Sequence, residues 1–324
     1  MKSPFTKGEK MEKIRIFSGR SHPILASEIC RRLNAKFGQI VVKEYANGCF
    51  EVILQDEVKD CKVFLIQTSV LQTLHRDFWE LFQMVNAAKE NGASEIIVVM
   101  PYISYARSDK IYTQGMTISA ELFVKLLKAS GMTRFIGIDF HSKEFEKFLS
   151  ELDVRVYHLS ALPLLAGYLE TKNLQNTILL AGDKGALRNA TLLAGKLSIP
   201  IDSVGFVDKT RISDTEVRID NIDTEVAGKD VVIFDDEISP VATTLKAQAK
   251  ELEKRKVNSL RVIVTHASIT QDTIRSLQKL NMIRELIVTD TVPIPEEARR
   301  SLPLRVLSVA GLIAEKIKEI SEEP

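Results

Sequence analysis

Cysteine, tryptophan and charge of one sign are all scarce in this 324-residue chain, and each scarcity excludes something. The three cysteines, Cys30, Cys49 and Cys61, are odd in number and show neither metal-ligand nor redox spacing. That excludes a disulfide framework and fits a reducing cytoplasm. A formal net charge of +1 gives no global electrostatic case for nucleic acid or for an anionic membrane. No apolar run approaches the roughly 20 residues needed to cross a bilayer. The stretch Met1–Lys10 is polar and lacks a signal-peptide core, so it is expected to be a frayed extension of a cytoplasmic protein. The single tryptophan, Trp79, lies in the helical pattern Phe78-Trp-Glu-Leu-Phe82 and is expected in the core or at a subunit contact. Low-complexity segments and short-period repeats are absent too. What remains is a globular composition, 45% hydrophobic and 27% charged, with length enough for two domains.

Short β-rich runs alternate with helical patterns almost throughout. The predicted strands are Lys13–Phe17, Val63–Gln67, Glu95–Met100, Arg134–Asp139, Thr177–Ala181, Ser203–Val207, Val231–Phe234, Arg261–Thr265 and Glu285–Val288. Between them lie helical stretches at Pro23–Leu33, Asp77–Asn91, Ser119–Ser130, Leu187–Lys196, Thr243–Lys254 and Gln271–Leu280. Near-continuous apolar strands separated by helices imply parallel sheets covered on both faces. The number of repeats predicts two tandem doubly wound α/β units, residues 13–158 and 159–318. The charged stretch Gly205–Gly228 has no helical period and is expected to be a long mobile loop or β-flap.

Five predicted strands run into polar side chains. Met100 leads to Arg107 and Asp109, Ile136 to Asp139 and His141, Leu180 to Asp183 and Lys184, Val207 to Lys209 and Arg211, and Phe234 to Asp235 and Asp236. Any one of these reads equally well as a surface loop. Five together, all at carboxyl ends, are what a polar crevice on a parallel sheet requires. Asp235 and Asp236 precede a short loop and a helix start, a place suited to holding a ribose by its hydroxyls and an anion by backbone amides. Lys209 and Arg211, spaced i, i+2, can face one side of a strand and suit a transferring phosphoryl group. His141 and Asp183 are too few for a protein metal cage, but with nucleotide phosphates they make a reasonable Mg²⁺ site. Arg107 and Asp109 can grip a phosphate and order a cation. His22, His75 and His158 have no partner motif and receive no role.

In order and spacing these pieces resemble the ribose-phosphate pyrophosphokinases, the phosphoribosyl-diphosphate synthetases. The likeness runs from about Ile14 to Val309 through Phe17-Ser-Gly, Tyr105-Ala-Arg107-Ser-Asp109, Ile138-Asp-Phe-His141, Asp183-Lys-Gly185, Asp208-Lys-Thr-Arg211, Asp235-Asp236, Thr265-His266 and Val288-Thr-Asp-Thr-Val-Pro293. The resemblance implies two type I phosphoribosyltransferase folds, with the ATP side in the first and the ribose-phosphate side in the second. It implies transfer of the β,γ-diphosphate of Mg-ATP to the anomeric hydroxyl of ribose 5-phosphate, and a homo-oligomer, with a hexamer as the family's assembly. By matching position, Arg107, Asp109, Tyr45 and Asn47 belong to the ATP site, and His141 and Asp183 to the metal and phosphate region. Lys209 and Arg211 belong to a catalytic flap. Asp235 and Asp236 hold the ribose hydroxyls, and Ser239 and Thr243 the 5-phosphate.

The chain departs from the family in that last loop. Where the family has Asp or Ser, Thr, two small residues ending in Gly, and Thr, this chain has Ser239-Pro240-Val241-Ala242-Thr243. Pro240 removes an N–H donor and Val241 is stiff, which predicts a reshaped phosphate nest. The adenine-side motif is altered as well, to Tyr45-Ala-Asn47-Gly-Cys49, and Tyr112 stands where an acidic residue often follows Arg-x-Asp. Three functions stay open: the ordinary synthetase, the same transfer to a 5-substituted ribose such as ADP-ribose, and a non-catalytic paralogue that regulates an active synthetase.

Overall fold

The computed structural model of the chain describes residues 13–213 and 216–323. The expected extension Met1–Lys10 lies outside the described residues. The chain divides into two compact units, one running to Leu159 and resuming at Val309, the other formed by Ser160–Ser308.

The first unit is a five-stranded parallel sheet whose strands lie side by side in chain order: β1 (Ile14–Ser18), β4 (Lys62–Ile66), β5 (Glu95–Val99), β6 (Arg134–Ile138) and β7 (Arg155–Leu159). Alternate residues serve opposite faces. Phe17, Val63, Leu65, Ile96, Val98 and Phe135 join one core with helices Leu74–Glu90, Ser119–Ser130 and Lys143–Ser150. Their neighbours Ile16, Phe64, Ile66, Ile97 and Val99 are equally enclosed on the other face. Helix Pro23–Leu33 starts with proline in its first turn and with the His22 ring nitrogen accepting from Leu25 N, the role that escaped the sequence reading. Trp79 is more than half exposed, with an edge contact to Phe82, so it is not a core residue.

Three strands of this unit were not anticipated: β7 and the pair β2 and β3. β2 (Ile40–Glu44) and β3 (Phe50–Leu54) form a separate antiparallel hairpin whose outward positions are exposed. The signal was present in the Asn47-Gly48 turn, which favours hairpins. The second unanticipated feature is the chain end. Residues up to 318 were expected in the second domain, but the helix Ala310–Glu322 packs against Pro23–Leu33 in the first unit. Polar contacts at the amino ends of the sheet strands explain this. Lys62 donates to the carbonyls of Ile320 and Glu323 at 3.0 and 2.9 Å. The Glu323 carboxylate pairs with Arg134 and with Arg155 and accepts from Tyr157. Arg134 itself is largely enclosed and also pairs with Glu95.

The second unit is a seven-stranded sheet in the order β10-β9-β8-β11-β12-β13-β14. Its strands are β8 (Thr177–Ala181), β9 (Val204–Ser213), β10 (Glu216–Ile222), β11 (Asp230–Ile238), β12 (Ser259–Ala267), β13 (Ile283–Thr289) and β14 (Leu304–Leu307). All neighbours are parallel except β9 and β10. Leu180, Ile233, Val262 and Val288 form one core with Leu245, Ala249 and Leu252 of helix Thr243–Lys254. The charged stretch Gly205–Gly228 is a hairpin rather than an irregular loop: β9 runs on past the sheet and returns as β10, with register shifts that bend the pair. Residues 214–215 lie outside the described residues.

Glu323 generates a test of the C-terminal contacts. Burial opposes its ionisation, but hydrogen bonds from Arg134, backed by Arg155, hold its carboxyl below the ordinary range. Glu323→Ala is expected to cost about 2 kcal/mol in urea unfolding at neutral pH, because it strips partners from a largely enclosed guanidinium. A group with a lowered folded pKa stabilises above its unfolded value and loses that contribution as pH falls. The gap between wild type and variant should therefore shrink below about pH 4. An unchanged unfolding midpoint at neutral pH would show that the contacts do not hold the helix.

Candidate functional site

Strand order locates the crevice. From β8 the chain moves outward to β9 on one side, then crosses back to lay β11 on the other. Ligands of open α/β sheets bind at such a reversal, beyond the carboxyl ends of the strands. In this unit those ends are Ala181-Gly182-Asp183 after β8 and Asp235-Asp236 toward the end of β11. The first unit's sheet has no reversal, since its strands follow chain order.

At the reversal the two ends interlock. Gly182 N donates to Phe234 O at 2.8 Å, continuing the ladder between β8 and β11. A Cβ at residue 182 would lie 2.1 Å from Asp235 Oδ2, so the carboxylate fills the space a side chain would need. Two donors then converge on the Gly182 carbonyl: Lys209 Nζ at 3.1 Å and Gln248 Nε2 at 2.8 Å. Lys209 also pairs with Asp183 Oδ2 at 3.1 Å. Asp183 Oδ1 caps the following turn by accepting from Ala186 N at 3.0 Å. Asp236 N donates to Asp235 Oδ1 at 2.9 Å, and the two carboxyl groups are hydrogen-bonded to each other. Burial pushes the Asp235 carboxyl well above the usual carboxylate range, the charge of Asp236 adds to the rise, and Lys209 opposes it.

The loop after β11 is a tight turn. Ala242 N donates to Ser239 O at 2.9 Å, and Ala242, with φ 49° and ψ 34°, adopts a left-handed conformation. A residue with a Cβ is disfavoured there by about 1 kcal/mol, which is why glycine is the usual occupant of such positions. So the reshaped loop expected from Pro240, Val241 and Ala242 keeps a positive φ with alanine. Thr243 opens the helix, almost fully enclosed, and its hydroxyl has no hydrogen-bond partner among the described residues. Ser239 is half-buried beside it.

The predicted residues thus fall into two sets. Asp183, Lys209, Asp235, Asp236, Ser239 and Thr243 belong to the second unit, as does Arg211, which is exposed toward the hairpin tip. Arg107, Asp109, Tyr45, Asn47 and His141 belong to the first. Arg107 is exposed at the end of a short 3₁₀ turn, while Asp109 two residues on is buried. Tyr45 and Asn47 shape the turn of the β2–β3 hairpin: Asn47 Oδ1 accepts from Cys49 N at 3.1 Å, and Tyr45 Oη donates to Glu51 at 2.6 Å. His141 is exposed just after β6. No group of three or more His, Cys, Asp or Glu side chains able to hold a metal occurs among the described residues. Asp183 offers one hard carboxylate that opens on the crevice, a donor set suited to an ion arriving on phosphate oxygens rather than one caged by protein. Gln248 and Gly182 were missed as site residues. The signal for Gln248 was a polar side chain at an apolar-face position, between Leu245, Ala249 and Leu252.

The chain has extensive likenesses. A family model described as the N-terminal domain of ribose phosphate pyrophosphokinase matches residues 14–131, and one described as the phosphoribosyl synthetase-associated domain matches residues 211–324. A ribose-phosphate pyrophosphokinase of Oceanobacillus iheyensis is 31% identical over 98% of this chain and 97% of the relative. One from Bacillus subtilis is 30% identical over 96% of this chain and 95% of the relative. The crystal structure of the phosphoribosylpyrophosphate synthetase of Mycobacterium smegmatis superposes with a TM-score of 0.86 at 29% identity, covering 96% of this chain and 99% of that one.

The raised carboxyl of Asp235 gives a stability prediction with a definite sign. Above the ordinary aspartate value the unfolded chain has already lost a proton that the folded protein keeps. Stability is therefore greatest at low pH and declines as pH rises toward the folded value. Asp235→Asn cannot ionise. Between about pH 5 and about pH 8 the wild type should lose stability relative to the variant in urea titrations. Parallel curves for the two proteins would mean that Asp235 ionises freely in the fold.

Proposed function

The chain belongs to the ribose-phosphate pyrophosphokinase family, and from that premise we propose that it moves the β,γ-diphosphate of ATP to the anomeric hydroxyl of ribose 5-phosphate, giving phosphoribosyl diphosphate and AMP. Both α/β units are of the type I phosphoribosyltransferase kind. The observation that carries the reading is the meeting of Lys209, Asp183, Asp235 and Asp236 at the sheet's reversal, one turn from the loop that opens at Ser239.

The roles follow from chemistry. Asp235 and Asp236, adjacent toward the end of β11, accept from the two vicinal ribose hydroxyls. Ser239, Thr243 and the helix start receive the 5-phosphate, and the unpartnered Thr243 hydroxyl is a ready donor for it. The anomeric oxygen attacks the β-phosphorus and loses its proton. A new oxygen–phosphorus bond forms as the bond from the β-phosphorus to the oxygen bridging the α-phosphate breaks, and AMP departs with that oxygen. Lys209 neutralises charge on the moving diphosphate, and Arg211, on the same strand face, adds to it. For that, Lys209 must leave Gly182 and Asp183. Gln248 supports the reading because it keeps its bond to the Gly182 carbonyl when the lysine goes. Mg²⁺ on the nucleotide phosphates would supply further charge neutralisation, and Asp183 in the second unit and His141 in the first are the candidate residues to hold it. Arg107, Asp109, Tyr45 and Asn47 are the ATP-binding residues in this reading.

Lys209→Ala should lower turnover by about two to three orders of magnitude with a much smaller change in ATP affinity, because positioning and charge neutralisation dominate phosphoryl transfer. The readout is AMP release from Mg-ATP, with ribose 5-phosphate and ADP-ribose tested in parallel and products identified by mass. Near-normal turnover in the variant would remove Lys209 from the mechanism. AMP release with ADP-ribose alone would transfer the activity to a 5-substituted ribose, and silence with both acceptors would overturn the enzyme reading.

A further inference from the structure

Two hydroxyls outside the crevice converge on the unusual loop. Thr270 Oγ1 donates to the carbonyl oxygen of Pro240 at 2.9 Å, and Thr273 Oγ1 donates to the same oxygen. Both threonines sit at the start of helix Gln271–Leu277, which the chain enters three residues after β12. Each is used twice. Thr270 Oγ1 also accepts from Thr273 N at 3.2 Å, and Thr273 Oγ1 accepts from Thr270 N at 3.0 Å, a reciprocal cap. A hydroxyl has one proton and two lone pairs, so both can cap the helix and still spend their protons on Pro240. Thr273 is fully buried.

Pro240 is the second residue of the turn closed by Ala242 N and Ser239 O. That turn has no glycine, a stiff Val241 and a left-handed alanine whose methyl is enclosed. A disfavoured backbone conformation persists only where its surroundings over-determine it. Two donors on one carbonyl fix the orientation of the Pro240 peptide, and with it the entry to Ser239 on one side and Thr243 on the other.

We propose that Thr273, with Thr270, is a positioning residue for the sugar-phosphate loop Ser239–Thr243. Acting through the Pro240 carbonyl, the pair holds the loop in the shape that receives the anionic group on C5 of the ribose. It sets affinity for the sugar phosphate without touching the reacting atoms. The assignment rests on the ribose 5-phosphate reading of the crevice.

Thr273→Val keeps the shape and deletes the hydroxyl. KM for ribose 5-phosphate should rise about tenfold while kcat and KM for ATP stay within about twofold, the scale of one lost hydrogen bond. Thr273→Ser keeps the hydroxyl and should restore the wild-type KM. Thr270→Gly, a substitution helix caps tolerate at a cost of about a few tenths of a kcal/mol, provides a second deletion of a Pro240 donor if the valine variant is poorly folded. It should raise the same KM. An unchanged KM for ribose 5-phosphate in a folded variant would overturn the assignment. So would a joint decline of kcat and both KM values that merely follows a lowered Tm. Failure of the wild type itself to use ribose 5-phosphate would sink the underlying reading along with it, whereas a wild type that turns over beside an unaffected variant sinks the positioning role alone.

Discussion

One carbonyl oxygen ties the crevice together. Gly182 O receives Lys209 from the β9–β10 hairpin and Gln248 from the helix after β11, while its own Cα is packed against the Asp235 carboxylate. Three elements that are distant in sequence are therefore registered to a single peptide unit. The arrangement is also electrically coupled. A desolvated Asp235 beside Asp236 is costly, and Lys209 is the cation that offsets it. Held against the end of β8, Lys209 orders the base of the hairpin.

The loop Ser239–Thr243 shows how a backbone requirement outlives the residue that usually meets it. Ala242 keeps a positive φ that costs a residue with a Cβ about 1 kcal/mol. Burial of its methyl, the helix that begins at Thr243 and the two threonine protons on Pro240 together outweigh that sum. Local sequence records the strain at Pro240, Val241 and Ala242 but not the contacts that oppose it.

The same division explains what else could be read from the chain. Strands such as Thr177–Ala181 and helices such as Ser119–Ser130 and Leu187–Lys196 were legible because burial on both faces or on one stripe leaves a continuous or periodic apolar record. Asp183, Lys209, Asp235 and Asp236 were legible as polar residues that end such runs. The hairpin at Ile40–Leu54 was missed because its exposed positions dilute the pattern to a few isolated apolar residues. Gln248, Thr270 and Thr273 were missed for a different reason. Each acts on a carbonyl 30 or more residues away, and nothing in its own neighbourhood records that partner. The final helix went to the wrong unit because the cluster that fixes it, Lys62, Arg134, Arg155 and Tyr157, is scattered over nearly a hundred residues.

That helix makes the second unit an insertion within the first. A ribosome delivering this chain releases β1 to β7 long before residues 309–323 emerge, so the unit begun earliest is completed last. Meanwhile Arg134, Arg155 and Lys62 await a carboxylate and carbonyls that do not yet exist outside the exit tunnel. The inserted unit has no such dependence, since its seven strands are consecutive in synthesis. The nascent chain can close the inserted unit while the sheet preceding it still lacks its last helix, which reverses the vectorial order in which domains are usually finished.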